Sequence, residues 1–184
     1  MTMKVKEELL VSTVSSPVGL LTLAFYRDRL CHIDFGTAED TTAGLIHWAK
    51  RNGLPASVSD VSQAGEQAAE QLHDYFSGRR KTFDLDLLLI GTAFQKEVWK
   101  ALAAIPYGET RTYKDVAVAV GRPKAIRAVG GANHRNPLPI VIPCHRVIGT
   151  NGALVGYGGG LDRKKRLLEL EKPGKIKAVS SSLS

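Results

Sequence analysis

The sequence is poor in cysteine: Cys31 and Cys144 are the only two in 184 residues. Two thiols cannot build a disulfide framework or a cysteine-rich zinc site. No apolar run approaches the roughly 18 residues that span a bilayer. The opening segment, Met1–Val14, sets Glu7 and Glu8 just before the short run Leu9–Val11, which is not a secretory pattern. No internal repeat is present, which excludes a solenoid. These absences lead to the expectation of a cytoplasmic protein with free thiols, long enough for one large domain or two small ones.

The charge that is present is uneven. From Thr92 onward there are 16 Lys and Arg against 6 Asp and Glu, whereas residues 1–91 hold 9 against 12. A basic C-terminal half suits a polyanionic partner, and equally suits a solvated basic surface.

Leu9–Ser15, Leu20–Tyr26 and Leu30–Phe35 read as strands of an antiparallel meander, parted by the turns Pro17-Val18-Gly19 and Arg27-Asp28-Arg29. Thr41–Asn52 and Gln63–Ser77 have helical spacing, and Phe83–Ile90 reads as a further extended segment. Gly91-Thr92 marks a boundary. Thr92 is placed to cap a helix over Ala93–Ile105, and Thr112 a second over Tyr113–Val120, closed by Gly121. Pro123 is read as opening a third, Lys124–Asn133. Two short helices joined by a tight turn have the shape of a helix-turn-helix. Pro137, Pro139 and Pro143 bracket a strand-like apolar run. The glycine-rich stretch Gly149–Gly160 leads to a basic helix, Leu161–Glu171.

The chemistry concentrates in Pro143-Cys144-His145-Arg146-Val147. A cysteine attacks as thiolate, and its ordinary pKa of about 8.5 leaves little ionised at neutral pH. An adjacent imidazole can take the proton, basic residues such as Arg146 favour the anion, and Glu171 is available to orient the imidazole. A lone Cys-His pair reads more readily as a buried structural cysteine beside a surface histidine. What shifts the balance is position: the pair follows a helix-turn-helix, in the basic half. Cys31, by contrast, reads as a buried strand residue, and His32, His47 and His73 as structural.

The run Ile142–Val147 resembles the active-site signature of the O6-alkylguanine-DNA alkyltransferases, the methylated-DNA–protein-cysteine methyltransferases. The likeness extends to Phe94-Gln95-Lys96-Glu97-Val98-Trp99, Ile105-Pro106-Tyr107-Gly108-Glu109-Thr110 and Tyr113. It continues through Arg127-Ala128-Val129-Gly130-Gly131-Ala132, Asn136-Pro137, Gly156-Tyr157-Gly158-Gly159-Gly160-Leu161 and the helix ending in Glu171. It covers Ala93–Glu171 almost without a break, while residues 1–91 match in layout only.

This resemblance implies an α/β (α+β) fold. A small ribonuclease-H-like domain with antiparallel strands would occupy residues 1–91. A mostly helical, winged-helix-like domain would occupy 92–172, and a flexible tail 173–184. It implies direct-reversal repair: one irreversible transfer of an alkyl group from O6-alkylguanine, or O4-alkylthymine, to Cys144. His145 would act as base through a water, Glu171 would orient it, and Asn136 would organise the network. Tyr113 would hydrogen-bond the guanine at N3 and help turn its phosphate. Arg127 would fill the gap left by the flipped base. Tyr157, Gly158 and Gly159 would form a pocket wall, and the main-chain carbonyls of Cys144 and Val147 would accept from the guanine amine. The small residues Ala125, Ala128, Gly130 and Gly131 suit close approach to a minor groove, and Arg135 suits a phosphate. The implied partner is double-stranded DNA carrying the lesion, bound by a monomer, with cooperative binding left open. No metal, no organic cofactor and no membrane is implied.

The chain departs from the family at several points. The two-cysteine, two-histidine zinc site of some relatives has only Cys31 here, so none is expected. His134 and Arg135 stand where small residues are usual, and Gly158 where some relatives have serine. Rival readings are a binding-only relative, a transcription regulator and a cysteine hydrolase. The first replaces the acceptor cysteine, present here; the second carries an extra cysteine-containing domain; the third would turn over repeatedly.

Overall fold

The computed structural model describes residues 7–60 and 63–173. The expected flexible tail therefore lies outside the described residues, apart from Pro173.

The N-terminal half forms a sheet as the alternation dictates. Strands β1 (Leu9–Val14), β2 (Leu21–Tyr26) and β3 (Arg29–Phe35) are antiparallel neighbours. Arg27 and Asp28 both take positive φ, 49° and 62°, which makes the β2–β3 connection a two-residue turn with the twist hairpins prefer. Helix α1 (Ala38–Arg51) is capped by Thr37, whose side chain accepts from the Asp40 amide. Strand β4 (Val58–Asp60) then pairs parallel to β1, giving the order β3-β2-β1-β4. The sequence reading missed β4: three residues, none of them buried, carry no alternation to detect. Helix α2 (Gln63–Phe76) packs Ala68, Leu72 and Tyr75 into the core.

β3 is an edge strand, and its free edge is used rather than left open. Residues 86–88 run alongside it, with Leu30 N donating to Asp86 O and Leu88 N to Leu30 O, both at 2.9 Å. The segment expected to be extended over Phe83–Ile90 thus makes one bridge, Leu30 to Leu87, and no strand. Farther along, Ile33 N donates to Pro137 O at 2.8 Å. β3 is the seam between the two halves.

Helix α3 (Ala93–Ala103) starts at a reciprocal capping box between Thr92 and Gln95. It buries Val98, Trp99 and Leu102, and the Trp99 indole donates to Ala132 O at 2.9 Å. Strand β5 (Arg111–Thr112) leads into α4 (Tyr113–Ala119), boxed by Thr112 and Asp115. Helix α5 (Ile126–His134) begins two residues later than expected. Pro123 does not open it: Ala125 N donates to Arg122 O at 2.9 Å, so Pro123 holds the second position of a tight turn. After α5 a 3-10 turn (Cys144–Arg146) runs into β6 (Val147–Ile148), parallel to β5, and α6 (Leu161–Leu170) closes the fold. One apolar core unites β2, β3, α2, α3, the helix-turn-helix and α6. No helix among the described residues is long and apolar enough to cross a membrane.

Candidate active site

The residues between α5 and Cys144 form a tight turn, not the strand expected from the apolar run. Leu138, Ile140 and Ile142 are buried, but alternation gives way to a single bridge between Pro139 and Ile142. Ile140 sits at φ 75°, a conformation costly for a β-branched residue. Asn136 holds the turn at both ends: Leu138 N donates to its Oδ1 at 3.0 Å, and its Nδ2 donates to Ile142 O at 2.8 Å. The strain at Ile140 is thus fixed three residues before Pro143, where the chain turns to present Cys144.

Cys144, His145 and Arg146 are all buried. Burial pushes the Cys144 thiol up, to about 11, against hydrogen bonding from Asn136 and the positive charge of Lys164. His145 Nε2 lies 2.8 Å from Glu171 Oε1. The carboxylate makes this the Nε2–H tautomer and leaves Nδ1, buried and without a protein partner, as the proton acceptor. Burial holds the imidazole below its usual pKa, opposed by Glu171, so it is neutral at pH 7.

Burial alone would raise the Glu171 carboxyl. Hydrogen bonds from His145 and Arg146 outweigh it and bring the group down to about 2. Arg146 grips the carboxylate with two donors, Nε to Oε2 at 2.9 Å and Nη2 to Oε1 at 2.8 Å, while Nη1 donates to Ile105 O at 2.7 Å. The Tyr75 hydroxyl, from α2 of the N-terminal half, donates to Oε1 at 2.7 Å. Arg166, one turn earlier on α6, points elsewhere and donates to Pro17 O at 3.0 Å.

In the structure Glu171 bonds the His145 imidazole, and Asn136 braces the turn that leads to Cys144. Tyr157, Gly158 and Gly159 line a cleft of about 610 Å³ with Cys144, Asn136 and Arg135. A Cβ on Gly158 would stand 3.8 Å from the His134 carbonyl, so serine has room there. Tyr113 meets the glycine-rich wall: its hydroxyl donates to Val155 O at 3.0 Å and lies 3.6 Å from where a Cβ on Gly156 would stand. Arg127 and Ala128 are exposed on the first turn of α5, away from this cleft, and Gly131 faces open space. The Val147 carbonyl already accepts from Lys164 Nζ, which also donates to Val155 O at 2.9 Å. One lone pair of that carbonyl is therefore engaged before any ligand arrives.

Three members of the site escaped the sequence reading: Tyr75, Lys164, and Arg146 as the clamp on Glu171. A signal existed for one of them. Lys164 falls with Leu167 and Glu171 on the buried stripe of α6, and a charge at a core position asks for a buried partner. Tyr75 looked like ordinary core, because its partner lies 96 residues away.

Fold and site together define a class: an α+β protein in which a buried Cys144 and His145, the latter bonded to Glu171, follow a helix-turn-helix. Residues 93–173 match the 6-O-methylguanine DNA methyltransferase DNA-binding domain, and residues 9–89 match the ribonuclease-like domain of the same family. The chain is 50% identical over 159 residues to the methylated-DNA–protein-cysteine methyltransferase of Methanosarcina barkeri, covering 86% of this chain and 94% of that one. It is 47% identical over 160 residues to its counterpart from Mycobacterium tuberculosis, covering 87% and 90%. Among solved structures it resembles the Mycobacterium tuberculosis O6-methylguanine methyltransferase, with a TM-score of 0.74 at 42% identity over 93% of this chain and 99% of that one. It also resembles Mycobacterium tuberculosis OGT in complex with DNA, with a TM-score of 0.74 at 45% identity over 87% and 91%. The chain belongs to the methylated-DNA–protein-cysteine methyltransferase family.

Proposed function

We propose that this protein repairs O6-alkylguanine in double-stranded DNA by taking the alkyl group onto Cys144, once per chain. The observation that carries this reading is the relay behind the thiol. A neutral His145 is pinned through Nε2 by Glu171 and keeps Nδ1 for a proton, and Asn136 sets the turn that presents the sulfur.

The steps follow from these groups. His145, through a water, takes the Cys144 proton as the lesion enters, and Glu171 and Arg146 hold the imidazole through the transfer. Sγ attacks the alkyl carbon, the carbon–O6 bond breaks, and its electron pair leaves with guanine. Tyr113 assists that departure by hydrogen bonding at N3, exchanging its bond to Val155 for one to the base. The thiol proton is balanced by the proton guanine regains at N1. The product is a thioether, which water does not readily cleave, so the chain is consumed. No step calls for a metal or an organic cofactor.

The alkyl carbon is hidden in the duplex, so the nucleotide must leave the stack, at a cost of a few kcal/mol. In this reading Arg127, exposed at the start of α5, fills the gap, and Tyr113 turns the phosphate. Ala125, Ala128, Gly130 and Gly131 give α5 a low profile suited to a minor groove. Val118, Ile126 and Val155 are further apolar side chains exposed in this half. Arg135 serves the phosphates at the far end of α5. Residues 92–172 act as the DNA-binding and acceptor domain, residues 1–91 as its support. The protein acts as a monomer in the reducing cytoplasm, where Cys144 stays a thiol.

Intact-protein mass after incubation with duplex DNA bearing one O6-methylguanine tests this. The expected result is one added methyl, stopping at one per chain and absent from Cys144→Ala. Lesion-selective binding without mass gain would leave a recognition protein; repeated turnover of an ester would leave a hydrolase.

A further inference from the structure

Phe35 ends β3, in the N-terminal half, and reaches the glycine-rich wall beside Cys144. A Cβ built on Gly159 would lie 2.6 Å from Phe35 Cε2 and 2.8 Å from Tyr157 Cε1. Gly159 is therefore sandwiched between two rings, with no room for even a methyl group. The rings meet edge-on, with centroids 6.1 Å apart. Tyr157 is buried and its hydroxyl has no partner, so packing rather than hydrogen bonding sets its place. Phe35, Tyr157, Gly159 and Cys144 line one cleft.

Arg163, on the first turn of α6, locks this packing. Its guanidinium lies over the Phe35 ring, 4.8 Å from the centroid. Nη1 donates to Gly159 O at 2.9 Å, and Nε donates to Val18 O at 2.8 Å in the β1–β2 turn. One side chain thus ties the wall to two elements of the N-terminal half. The wall itself is glycine-rich, with Gly156 and Gly160 at positive φ, and has little stiffness of its own.

Given the alkyl-transfer reading above, we propose that Phe35 and Arg163 form a cross-domain clamp that sets the width of the alkyl pocket. Phe35 is a specificity-determining residue supplied by the N-terminal half. It backs Gly159, Gly159 backs Tyr157, and Tyr157 faces the space beside Cys144. Removing the ring lets the wall retreat, which admits a bulky alkyl group and does little for methyl.

The test is single-turnover transfer from duplexes carrying O6-methylguanine or O6-benzylguanine, for the parent, Phe35→Ala, Phe35→Leu and Arg163→Met. The expected result is a benzyl-to-methyl rate ratio raised about tenfold in Phe35→Ala, the scale on which apolar pockets discriminate size, and raised less in the other two. A general loss of folding lowers both rates together and leaves the ratio alone. Should Phe35→Ala not fold, Phe35→Leu and Arg163→Met carry the test. Ratios equal to the parent's in the folded variants overturn the clamp. A parent that transfers no methyl overturns the alkyl-transfer reading itself, before any ratio is formed.

Discussion

Cys31 and Cys144 are both buried free thiols, and burial pushes both up, to about 12 and about 11. Their surroundings differ in kind. Cys31 sits in the small core of β1, β2, β3 and α1, and its Sγ donates to the Ala24 carbonyl at 3.4 Å. A carbonyl can only receive that proton's hydrogen bond, so it favours the thiol. Cys144 faces groups that favour the thiolate: the Asn136 side chain, the His145 amide and the Lys164 charge. The two histidine–carboxylate pairs differ in the same way. Burial lowers His32 and raises Asp34, 3.3 Å apart, with only each other to oppose it. Glu171 is held ionised because Arg146 shares it with His145. A buried thiol is structural by default, and donors plus an anchored base make it a nucleophile.

The sharpest way to break this comparison is to remove each sulfur in turn. Cys144→Ala is expected to abolish methyl transfer, while Cys31→Ala keeps a transfer rate within about twofold and loses some stability to its cavity. Glu171→Gln comes next. Single-turnover transfer is expected to slow by about 100-fold, as when a general base loses its anchor. Thermal unfolding should show about 3–5 kcal/mol of lost stability, because Arg146 keeps a buried charge without its partner.

The pH dependence sharpens the same point. Glu171 falls from 4.5 to about 2 on folding, so it contributes stability above pH 4.5 that disappears as pH drops toward 2. That contribution is about 3 kcal/mol at neutral pH. His145, lowered by burial, adds a loss of stability as pH falls below 6.5. Urea midpoints between pH 7 and pH 3 should decline for the parent, and Glu171→Gln should lack the lower limb. Tyr75→Phe keeps the ring and removes one hydrogen bond to a carboxylate, so a loss of about 1.5–3 kcal/mol is expected in the same unfolding experiment. The smallest effect is expected from Thr92→Ala, which removes the side-chain cap of α3. It should cost about 1 kcal/mol and leave the transfer rate unchanged.

Local signals made much of the molecule legible in the sequence. Thr92 and Thr112 announced their helices, and the three alternating runs announced the meander. The hexapeptide around Cys144 announced the nucleophile and its base. What stayed hidden depends on tertiary contact. Pro123 and the run before Cys144 followed turn geometry rather than helix or strand pattern, with Asn136 and the strained Ile140 deciding the path. Tyr75, Phe35 and Arg163 act across the seam between the halves, and no spacing in the chain records that they meet. Arg146 looked like a general source of positive charge, and its true role became visible only with Glu171 in place.

The most direct measurement is peptide mapping of the protein after one equivalent of O6-methylguanine duplex, with each cysteine peptide followed by mass. The account predicts methyl on the peptide containing Cys144, none on the peptide containing Cys31, and the same placement when the duplex is in excess. Methyl on Cys31, or shared between the two, would contradict it, because the thiol lacking side-chain donors and an anchored base would then react as well as the one that has them.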